Sequence, residues 1–218
     1  MRIKSLLGIS LFFSLNPLSA NCLNPQQMMD YYKKNYQVEL KISALYAKNY
    51  LSHISRQTKW SKPPAIVFDL DETILSNWPE LLRSQFVYQP KMWRKWVGSA
   101  KAKAIQPILN IVKNAQRKGI SILFVSGRPE GDRNATIVNL HRIGLTHWAA
   151  LILTQSDEER RNICKTKAKE RAKLSHHYQI IMNIGDQYSD FCGQHNGVMV
   201  KLPNPYYKIS AQNMKTAY

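Results

Sequence analysis

Five short apolar runs, separated by stretches of helical pattern, constrain the fold of this chain more than any other feature. Within each run the apolar residues are continuous rather than alternating, which is typical of strands that are covered on both faces. Strands that alternate with helices pair in parallel, because each helix returns the chain over the sheet in a right-handed crossover. We therefore expect an α/β fold of the Rossmann-like type, a mainly parallel sheet with helices on both faces. The five runs are 65–69, 121–126, 149–153, 180–184 and 198–202.

Helical patterns fill the chain between these runs. The patterns over 104–118 and 132–143 end at Gly119 and Gly144, where a left-handed helix cap favours glycine. A further basic helix fits 165–175. The strand ends that precede and follow these helices are therefore the places to look for chemistry.

The first 20 residues have the pattern of a secretory signal peptide. Basic residues near the start precede an apolar stretch that is too short to span a bilayer comfortably, and Ala20 is a small residue suited to cleavage. The alternative is an uncleaved membrane anchor. Cys22 lies close by, but Asn21 occupies the position where a lipoprotein cleavage site needs a small residue, so we expect no lipid. We predict a signal peptide over 1–20, a periplasmic or secreted location, and no stable membrane anchor after processing.

The rest of the chain divides by pattern into a helical region and a core with an insert. Asn24 and Pro25 suit the start of a helix, and apolar residues then recur at helical spacing, so we expect an N-terminal helical region over 21–60. The core extends over 61–218, with a small helical cap inserted at about 76–104. The aromatic residues of the cap either stack on a nucleobase or aryl leaving group, or pack a small helical lobe. These residues are Trp78, Phe86, Tyr88, Trp93 and Trp96.

The charge balance favours an anionic partner without identifying it. The sequence has 31 Lys and Arg residues against 14 Asp and Glu residues, a formal net charge of +17. Nucleic acid, lipid headgroups and phosphorylated substrates all suit such a charge, and a soluble basic surface also explains it. The basic residues are spread along the chain, and the sequence contains no arginine-rich tail or zinc-finger spacing.

The cysteine count limits the possible disulfides. Cys22, Cys164 and Cys192 are an odd number for an oxidising compartment. One disulfide with one free thiol is compatible with this count, and the pairing stays open. None of the three has metal-ligand spacing with another Cys or with a His.

Carboxylates follow the apolar runs at two of the predicted strand ends. Asp69 and Asp71 follow the first run, and Asp186 and Asp190 follow the fourth. Because ligands of an open parallel sheet bind beyond the carboxyl ends of its strands, these side chains should meet in one pocket. Clustered carboxylates suit a hard divalent cation, most naturally Mg²⁺.

A hydroxyl and a lysine should join this pocket. Ser126-Gly127-Arg128 ends the second run, and Lys165 lies near the start of the helix after the third. A lysine beside the carboxylates balances their charge and can hold a phosphate oxygen. Lys165 competes for this position with Lys167 and Lys169 on the same basic helix, and the Lys-Thr pair at 165–166 favours Lys165.

Five motifs carry a resemblance to a known family. They are "FDLDETILSN", "VSGRPEGDRNATIVNLHRIGL", "CKTKAKERAKL", "NIGDQYSDFCG" and "VKLPNPYYKIS", which together span about residues 60–210. The chain resembles the haloacid dehalogenase superfamily and, within it, the secreted subfamily III acid phosphatases, a class B-like group that includes the plant vegetative storage proteins. All five motifs in order, at strand ends, make a strongly specific match. Ser126 stands where many relatives have Thr, which keeps the hydroxyl.

The resemblance implies catalytic roles for three residues. Asp69 would attack phosphorus and become an aspartyl-phosphate, with its other oxygen on Mg²⁺. Asp71 would protonate the leaving alcohol and then activate water, with its backbone carbonyl on the metal. Lys165 would stabilise the charge of the phosphoryl group and of the nucleophile.

The resemblance also implies how phosphate and metal are held. Ser126 and the Gly127 backbone N–H, together with the same lysine, would bind phosphoryl oxygens. Asp186 would bind Mg²⁺ directly, and Asp190 would either assist it or merely cap the next segment. Arg128 would either contact the substrate or pair with a surface acid.

These inferences predict a secreted or periplasmic, Mg²⁺-dependent acid phosphatase that hydrolyses small phosphomonoesters and has no nucleic-acid partner. One alternative is a non-enzymatic basic protein that binds nucleic acid or anionic lipid. The other is a phosphorylation switch of the receiver type. Receiver domains lack an acid two residues after the phosphorylated aspartate and are not exported, so Asp71 and the signal peptide argue against the switch.

Overall fold

The structure, a computed structural model, describes residues 23–56 and 59–208. The signal peptide predicted over 1–20, and Cys22, lie outside the described residues. Within the described ranges, no helix combines the length and the apolar character needed to cross a membrane.

The described residues contain seven strands, which form two sheets. In chain order they are β1 (Pro64–Phe68), β2 (Leu75–Ser76), β3 (Lys103–Ala104), β4 (Ser121–Pro129), β5 (Ala150–Thr154), β6 (Gln179–Gly185) and β7 (Val198–Lys201). Five of them form a sheet of order β5-β4-β1-β6-β7, in which every pairing is parallel. The strand β1 therefore lies at the centre, between β4 and β6. The predicted α/β fold with a mainly parallel sheet is confirmed.

Helices precede the sheet and connect its strands. The α-helices are α1 (Pro25–Tyr31), α2 (Gln37–Ile54), α3 (Trp78–Arg83), α4 (Pro90–Ser99), α5 (Gln106–Arg117), α6 (Arg133–Arg142), α7 (Asp157–Arg161) and α8 (Ile163–Ser175). A π-helical turn over Tyr32–Tyr36 joins α1 to α2, so the N-terminal region is one continuous helix. Short 3₁₀ turns occur at Glu130–Asp132 and Tyr188–Phe191.

The two faces of β1 bury different side chains under different helices. Ile66 and Phe68 lie in the larger core, to which α2 and α5 contribute. Ala65 and Val67 lie in a second cluster, against which Leu174 of α8 packs. All four strand residues are at most 2% exposed. Both faces of the central strand are covered, which is why its apolar residues run without alternation.

The N-terminal helix starts where the sequence predicts. The Asn24 side chain accepts a hydrogen bond from the Gln27 N–H at 2.9 Å, and the Gln27 side chain accepts one from the Asn24 N–H at 2.9 Å. This reciprocal capping satisfies two N–H groups that have no partner within the helix. Pro25 occupies the first helical position, where its missing N–H is not needed.

Five aromatic rings, named here the aromatic cluster, join three distant parts of the chain. They are Tyr32, Tyr36, Trp78, Phe86 and Tyr206. Tyr32 stacks on Trp78 with ring centroids 3.7 Å apart and planes at 6°. Tyr206 packs against Trp78 at 5.3 Å and against Tyr36 at 5.8 Å. The cluster fixes the N-terminal helix against α3 and the segment after β7.

The segment between β2 and β3 is an insert of two helices. The two short strands pair antiparallel, with Leu75 opposite Ala104 and Ser76 opposite Lys103. The chain therefore leaves the core and returns to it at adjacent points, with α3 and α4 between them. This is the segment predicted as a small cap at about 76–104, and its role as a cap stays a prediction.

A disulfide joins Cys164 in α8 to Cys192, which follows the 3₁₀ turn after β6. This is the pairing that the sequence left open. The two cysteines are 28 residues apart in the chain. The bond therefore ties a helix on one face of the sheet to the loop that follows β6.

Candidate active site

The chain turns sharply after β1 and presents carboxylates at the carboxyl edge of the sheet. The Asp69 N–H donates to a carbonyl of β6 at 3.0 Å, which keeps this residue in line with the sheet. The N–H groups of residues 73–75 then all converge on the Leu70 carbonyl at 2.9–3.2 Å. Glu72 has φ +54°, a left-handed conformation that lets the loop close. Asp69 and Asp71 are thereby held two residues apart on a tight turn.

A buried lysine lies between two of the predicted carboxylates, and it is not the predicted one. The Lys167 ammonium is 2.6 Å from Asp69 Oδ1 and 2.5 Å from Asp190 Oδ1. Lys165 is exposed on α8. Its predicted placement is therefore wrong, and the reason is helix phase. The helix buries Lys167 and Arg171, four residues apart on one face, and Lys165 lies off that face.

Three buried carboxylates lie close enough to share a cation. Asp69, Asp186 and Asp190 each offer an oxygen within 4.8 Å of the others. With all three ionised and one ammonium among them, the group keeps two uncompensated negative charges. A donor set of oxygens with this charge fits a hard divalent cation such as Mg²⁺. The Asp71 carboxylate is not part of the group, and its predicted metal contact is through its backbone carbonyl.

Hydrogen bonds fix the two carboxylates that follow β6. Thr73 Oγ1 donates to Asp186 Oδ1 at 3.1 Å. The side-chain N–H groups of Gln187 and Asn204 donate to Asp186 Oδ2 at 2.7 and 2.8 Å. Asp190 Oδ2 accepts the Gln187 backbone N–H at 2.8 Å. Each carboxylate therefore has a set orientation before any ligand binds.

Gly185 makes room for Asp190 at the end of β6. A Cβ at this position would lie 2.2 Å from Asp190 Oδ2 and 2.6 Å from the Asp190 Cβ. Real side chains never approach so closely, so any other residue would displace the carboxylate. The glycine of the "NIGDQ" sequence is thus a packing requirement of the site.

The buried charges perturb one another. Burial raises the pKa of Asp69 well above its usual range; Lys167 opposes this rise, and the neighbouring carboxylates reinforce it. Burial also raises the pKa of Asp186, and the charge of Asp190 adds to the effect. Burial alone would lower the pKa of Lys167, but Asp190 and Asp69 raise it above its usual value, so this group is an ammonium. A bound cation would relieve the excess of negative charge.

Asp71 is held by a two-pronged pair with Arg128. The guanidinium donates from Nε to Asp71 Oδ2 at 2.9 Å and from Nη2 to Oδ1 at 2.6 Å, and Nη1 donates to Thr136 at 3.1 Å. Asn77 adds a third bond to Asp71 Oδ1 at 2.8 Å. Burial alone would raise the pKa of Asp71, but Arg128 and Asn77 outweigh it and the pKa is lowered. Arg128 is buried and pairs with this carboxylate, so the alternative of a surface acid is wrong; substrate contact stays a prediction.

Ser126 and Gly127 lie near the carboxyl end of β4, beside β1. Ser126 is buried, and its hydroxyl accepts the Arg128 N–H at 3.2 Å. A Cβ on Gly127 would meet Ile163 at 3.5 Å, an ordinary contact. Their predicted role in binding phosphate is compatible with this position and stays a prediction.

A fourth buried acid, Glu72, lies behind the site. It accepts hydrogen bonds from the Asn77 backbone at 2.7 Å and side chain at 3.0 Å, and from the Tyr207 hydroxyl at 2.8 Å. Burial and the charge of Asp71 raise the pKa of Glu72 to about 8, against the opposing effect of Asn77. Asn77 therefore links two acids, Glu72 and Asp71.

The aromatic residues of the insert divide into two groups. Trp78 and Phe86 belong to the aromatic cluster, and Trp96 donates a hydrogen bond to a buried asparagine at 2.7 Å. Tyr88 and Trp93 form a separate tilted pair with centroids 6.3 Å apart, and Tyr88 is 66% exposed. Packing accounts for the first three residues, and ligand stacking stays open for the last two.

Comparison with known proteins identifies the family. The profile of the haloacid dehalogenase superfamily, subfamily IIIB (acid phosphatase), matches residues 14–210. The chain belongs to this acid phosphatase family. A solved class C acid phosphatase from Bacillus anthracis, with tungstate bound, superposes with a TM-score of 0.69 at 29% sequence identity. The match covers 86% of this chain and 87% of that one.

Three plant proteins are similar to this chain over part of their length. Acid phosphatase 1 of Solanum lycopersicum is 33% identical over 148 residues, which are 66% of this chain and 58% of the tomato protein. The stem 28 kDa glycoprotein of Glycine max is 34% identical over 150 residues, 66% of this chain and 59% of that protein. Vegetative storage protein 2 of Arabidopsis thaliana is 30% identical over 147 residues, with 66% and 56% covered. The chain thus spans somewhat more than half the length of these plant relatives.

Sequence reasoning missed the residues that hold the carboxylates. Asn77 is the last residue of the motif "FDLDETILSN", and Asn204 lies within "VKLPNPYYKIS". The sequence analysis assigned neither residue a role, but each donates a hydrogen bond to a carboxylate of the site. Arg171 follows Lys167 by one helical turn, so the phase of α8 would have identified both together. The positions of the two asparagines in the motifs and the helical spacing of Lys167 and Arg171 were therefore the signals that could have identified these residues.

The assignment of Lys167, rather than Lys165, as the lysine of the site can be tested with a matched pair of variants. Lys167→Met removes the ammonium that pairs with Asp69 and Asp190, and kcat/KM on nitrophenyl phosphate should fall by at least about 100-fold. Lys165→Met makes the same change on the exposed face of α8 and should stay within about twofold of wild type. Circular dichroism of both variants checks the fold. Equal losses, or a larger loss for Lys165→Met, would contradict the assignment.

The raised pKa of Glu72 predicts how stability depends on pH. Its pKa is about 8 in the folded protein against 4.5 as reference, so the folded state resists ionisation and loses stability as the pH rises between these values. Glu72→Gln cannot ionise at this position. From about pH 5 to about pH 8 its free energy of unfolding should therefore fall by a few kcal/mol less than that of wild type. Urea unfolding in EDTA measures this. The exposed Glu158→Gln on α7 is the control and should follow wild type; an unchanged pH slope in Glu72→Gln would refute the prediction.

Proposed function

We propose that the protein is a Mg²⁺-dependent acid phosphatase that hydrolyses small phosphomonoesters through an aspartyl-phosphate on Asp69, and that it acts in the periplasm or outside the cell. The observation that carries the proposal is the buried Asp69 carboxylate, bound to Lys167 at 2.6 Å and facing Asp186 and Asp190. Membership of the acid phosphatase family supports it.

The first half of the proposed reaction transfers the phosphoryl group to the protein. A carboxylate oxygen of Asp69 attacks phosphorus, a new P–O bond forms, and the bond from phosphorus to the ester oxygen breaks. The leaving alkoxide takes a proton from Asp71 and departs as an alcohol. Lys167 balances the charge that builds up on the phosphoryl oxygens, and the Ser126 hydroxyl and the Gly127 N–H hold them.

The second half regenerates the carboxylate. Water attacks phosphorus, and Asp71, now ionised, accepts its proton while the bond between phosphorus and the Asp69 oxygen breaks. Inorganic phosphate leaves, and both acids return to their starting states. Asp71 thus alternates between acid and base.

The Arg128 pair bears on the two roles of Asp71 in opposite ways. It lowers the pKa of Asp71, which favours the ionised form needed for the second half. Protonation for the first half then requires a lower pH than an isolated carboxyl group would. This direction agrees with an acidic optimum.

Asp69, Asp186 and Asp190 would hold Mg²⁺, with the Asp71 backbone carbonyl as a further ligand. The ion would supply positive charge opposite the phosphoryl oxygens. The three oxygens within 4.8 Å and their excess negative charge support this assignment.

Export is part of the proposal. It rests on the pattern of residues 1–20 and on the Cys164–Cys192 disulfide, since stable disulfides persist in oxidising compartments. The mature protein would then begin near Asn21.

The test of the function is an assay of nucleotides, sugar phosphates and aryl phosphates at acidic pH, with Mg²⁺ and with EDTA. Hydrolysis should require the metal, and Asp69→Asn, which keeps the size of the side chain but removes the attacking charge, should lower turnover by several orders of magnitude. Asp157→Asn, on exposed α7, is the matched control and should retain wild-type turnover. Substantial turnover by verified Asp69→Asn protein would rule out the mechanism, and unchanged anion binding without any turnover would favour a binding protein.

The acid and base roles of Asp71 can be separated by comparing substrates that have different leaving groups. An alkyl phosphate needs its leaving oxygen protonated, whereas nitrophenyl phosphate releases a stable anion and needs little help. Asp71→Asn should therefore slow the first step more for the alkyl substrate, and phosphoenzyme should accumulate with the aryl substrate because the base is missing. Single-turnover kinetics isolates the first step. Equal first-step losses on both substrates would mean that Asp71 is not the general acid.

A further inference from the structure

Three buried residues of α8 face the loop that carries Asp190. Cys164, Lys167 and Arg171 are separated by three and four residues, so they lie on one face of the helix. Their exposed fractions are 2%, 4% and 1%. Lys167 belongs to the proposed catalytic group, but the other two make contacts of a different kind.

Arg171 binds the backbone of this loop rather than a carboxylate. Its Nη1 donates to the Asp190 carbonyl at 2.8 Å, and its Nη2 donates to the Cys192 carbonyl. The side-chain amide of Asn183, in β6, donates to the same Asp190 carbonyl at 2.7 Å. A buried guanidinium needs such acceptors, because an unpaired charge in the interior is strongly unfavourable. Movement of the loop would leave Arg171 without them.

The disulfide makes the same connection covalently. Cys192 follows Asp190 by two residues, and its bond to Cys164 anchors the loop one helical turn before Lys167. The contact between loop and helix is close, since a Cβ on Gly193 would lie 2.9 Å from the Ala168 Cβ. The ion pair, the two Arg171 bonds and the disulfide therefore all fix Asp190 against α8.

We propose that Arg171 and the Cys164–Cys192 disulfide form a brace that positions Asp190 for the cation, so that full cation affinity is reached only after the disulfide has formed. The inference rests on the proposed function, because it concerns the same cation site. Arg171 and the two cysteines are positioning residues: they act on the cation through Asp190 and Lys167.

The chemistry of the brace is one two-electron oxidation. Two thiols lose two electrons and two protons, an S–S bond forms, and an exchanging disulfide of the export compartment is reduced to two thiols. Both sulfur-bearing residues are at most 9% exposed in the folded protein. The bond therefore forms while the loop is still open, and the brace is set once during folding.

Direct measurement of Mg²⁺ binding tests the brace without using activity. Isothermal titration calorimetry with MgCl₂ is compared between wild type and a double variant, Cys164→Ser with Cys192→Ser. We expect Mg²⁺ affinity to fall about 10- to 100-fold in the double variant, the usual effect of losing residues that orient metal ligands. Cys22→Ser removes the remaining cysteine of the sequence and leaves the disulfide intact, so it is the matched control and should bind like wild type.

A second variant keeps the disulfide and removes the arginine. Arg171→Gln should also weaken Mg²⁺ binding, and Arg171→Lys, which keeps the charge and one donor, should recover part of the affinity. Arg142 is the control, because its guanidinium also donates to two carbonyls, of Ser99 and Ala100, at 2.9 Å, and the residue is exposed on α6 rather than buried on α8. Arg142→Gln should leave Mg²⁺ affinity unchanged. Thermal unfolding of every variant identifies those that fold. If the double cysteine variant does not fold, the comparison of Arg171→Gln with Arg171→Lys still tests the brace.

The outcomes separate the brace from the proposed function. Mg²⁺ affinity that falls in the double cysteine variant and in Arg171→Gln, but not in the controls, supports the brace. Folded variants that bind Mg²⁺ as wild type does overturn the brace and leave the function standing. A wild-type protein that binds no Mg²⁺ overturns both.

Discussion

One ammonium among three buried carboxylates is the interaction on which the rest of the site depends. Lys167 lies in α8, Asp69 follows β1 and Asp190 follows β6. The ion pairs of Lys167 therefore connect one helix to the ends of two strands. Buried charges are unfavourable unless they are paired, so each element has to arrive in place for the others to be stable. The parallel sheet provides this arrangement, because β1 and β6 are neighbours whose carboxyl ends lie at the same edge.

Periodicity was sufficient to predict the sheet and the carboxylates that follow its strands. Burial on both faces leaves continuous apolar runs, and Asp69 and Asp186 stand at the ends of two of them. The lysine was misplaced because the Lys-Thr pair was followed rather than the phase of α8, which puts Lys167 on the same buried face as Arg171. The supporting residues Asn77 and Asn204 come from loops, whose conformation follows from tertiary contacts rather than from a repeating pattern.

The net charge of the chain says little about the character of its site. The sequence carries +17 overall, yet the pocket at the sheet edge is acidic. Carboxylates alone would repel a phosphate group, so an acidic pocket suits a phosphate only when a cation stands between them. The basic surface acts at longer range, where it attracts anions toward the molecule. In the proposed function, the basic surface therefore acts while the anionic substrate approaches, and the acidic pocket acts once the cation and the substrate are bound.

The aromatic cluster has a consequence for when the molecule becomes complete during synthesis. Its rings come from the beginning, the middle and the end of the described chain, as Tyr32, Trp78 and Tyr206 show. A ribosome releases these segments in order, so Tyr32 and Trp78 leave it well before Tyr206 does. That segment also supplies Asn204, which holds Asp186, and contacts between distant parts of a chain form slowly. The packing of the N-terminal helix against α3 is therefore completed only once the segment after β7 has been made.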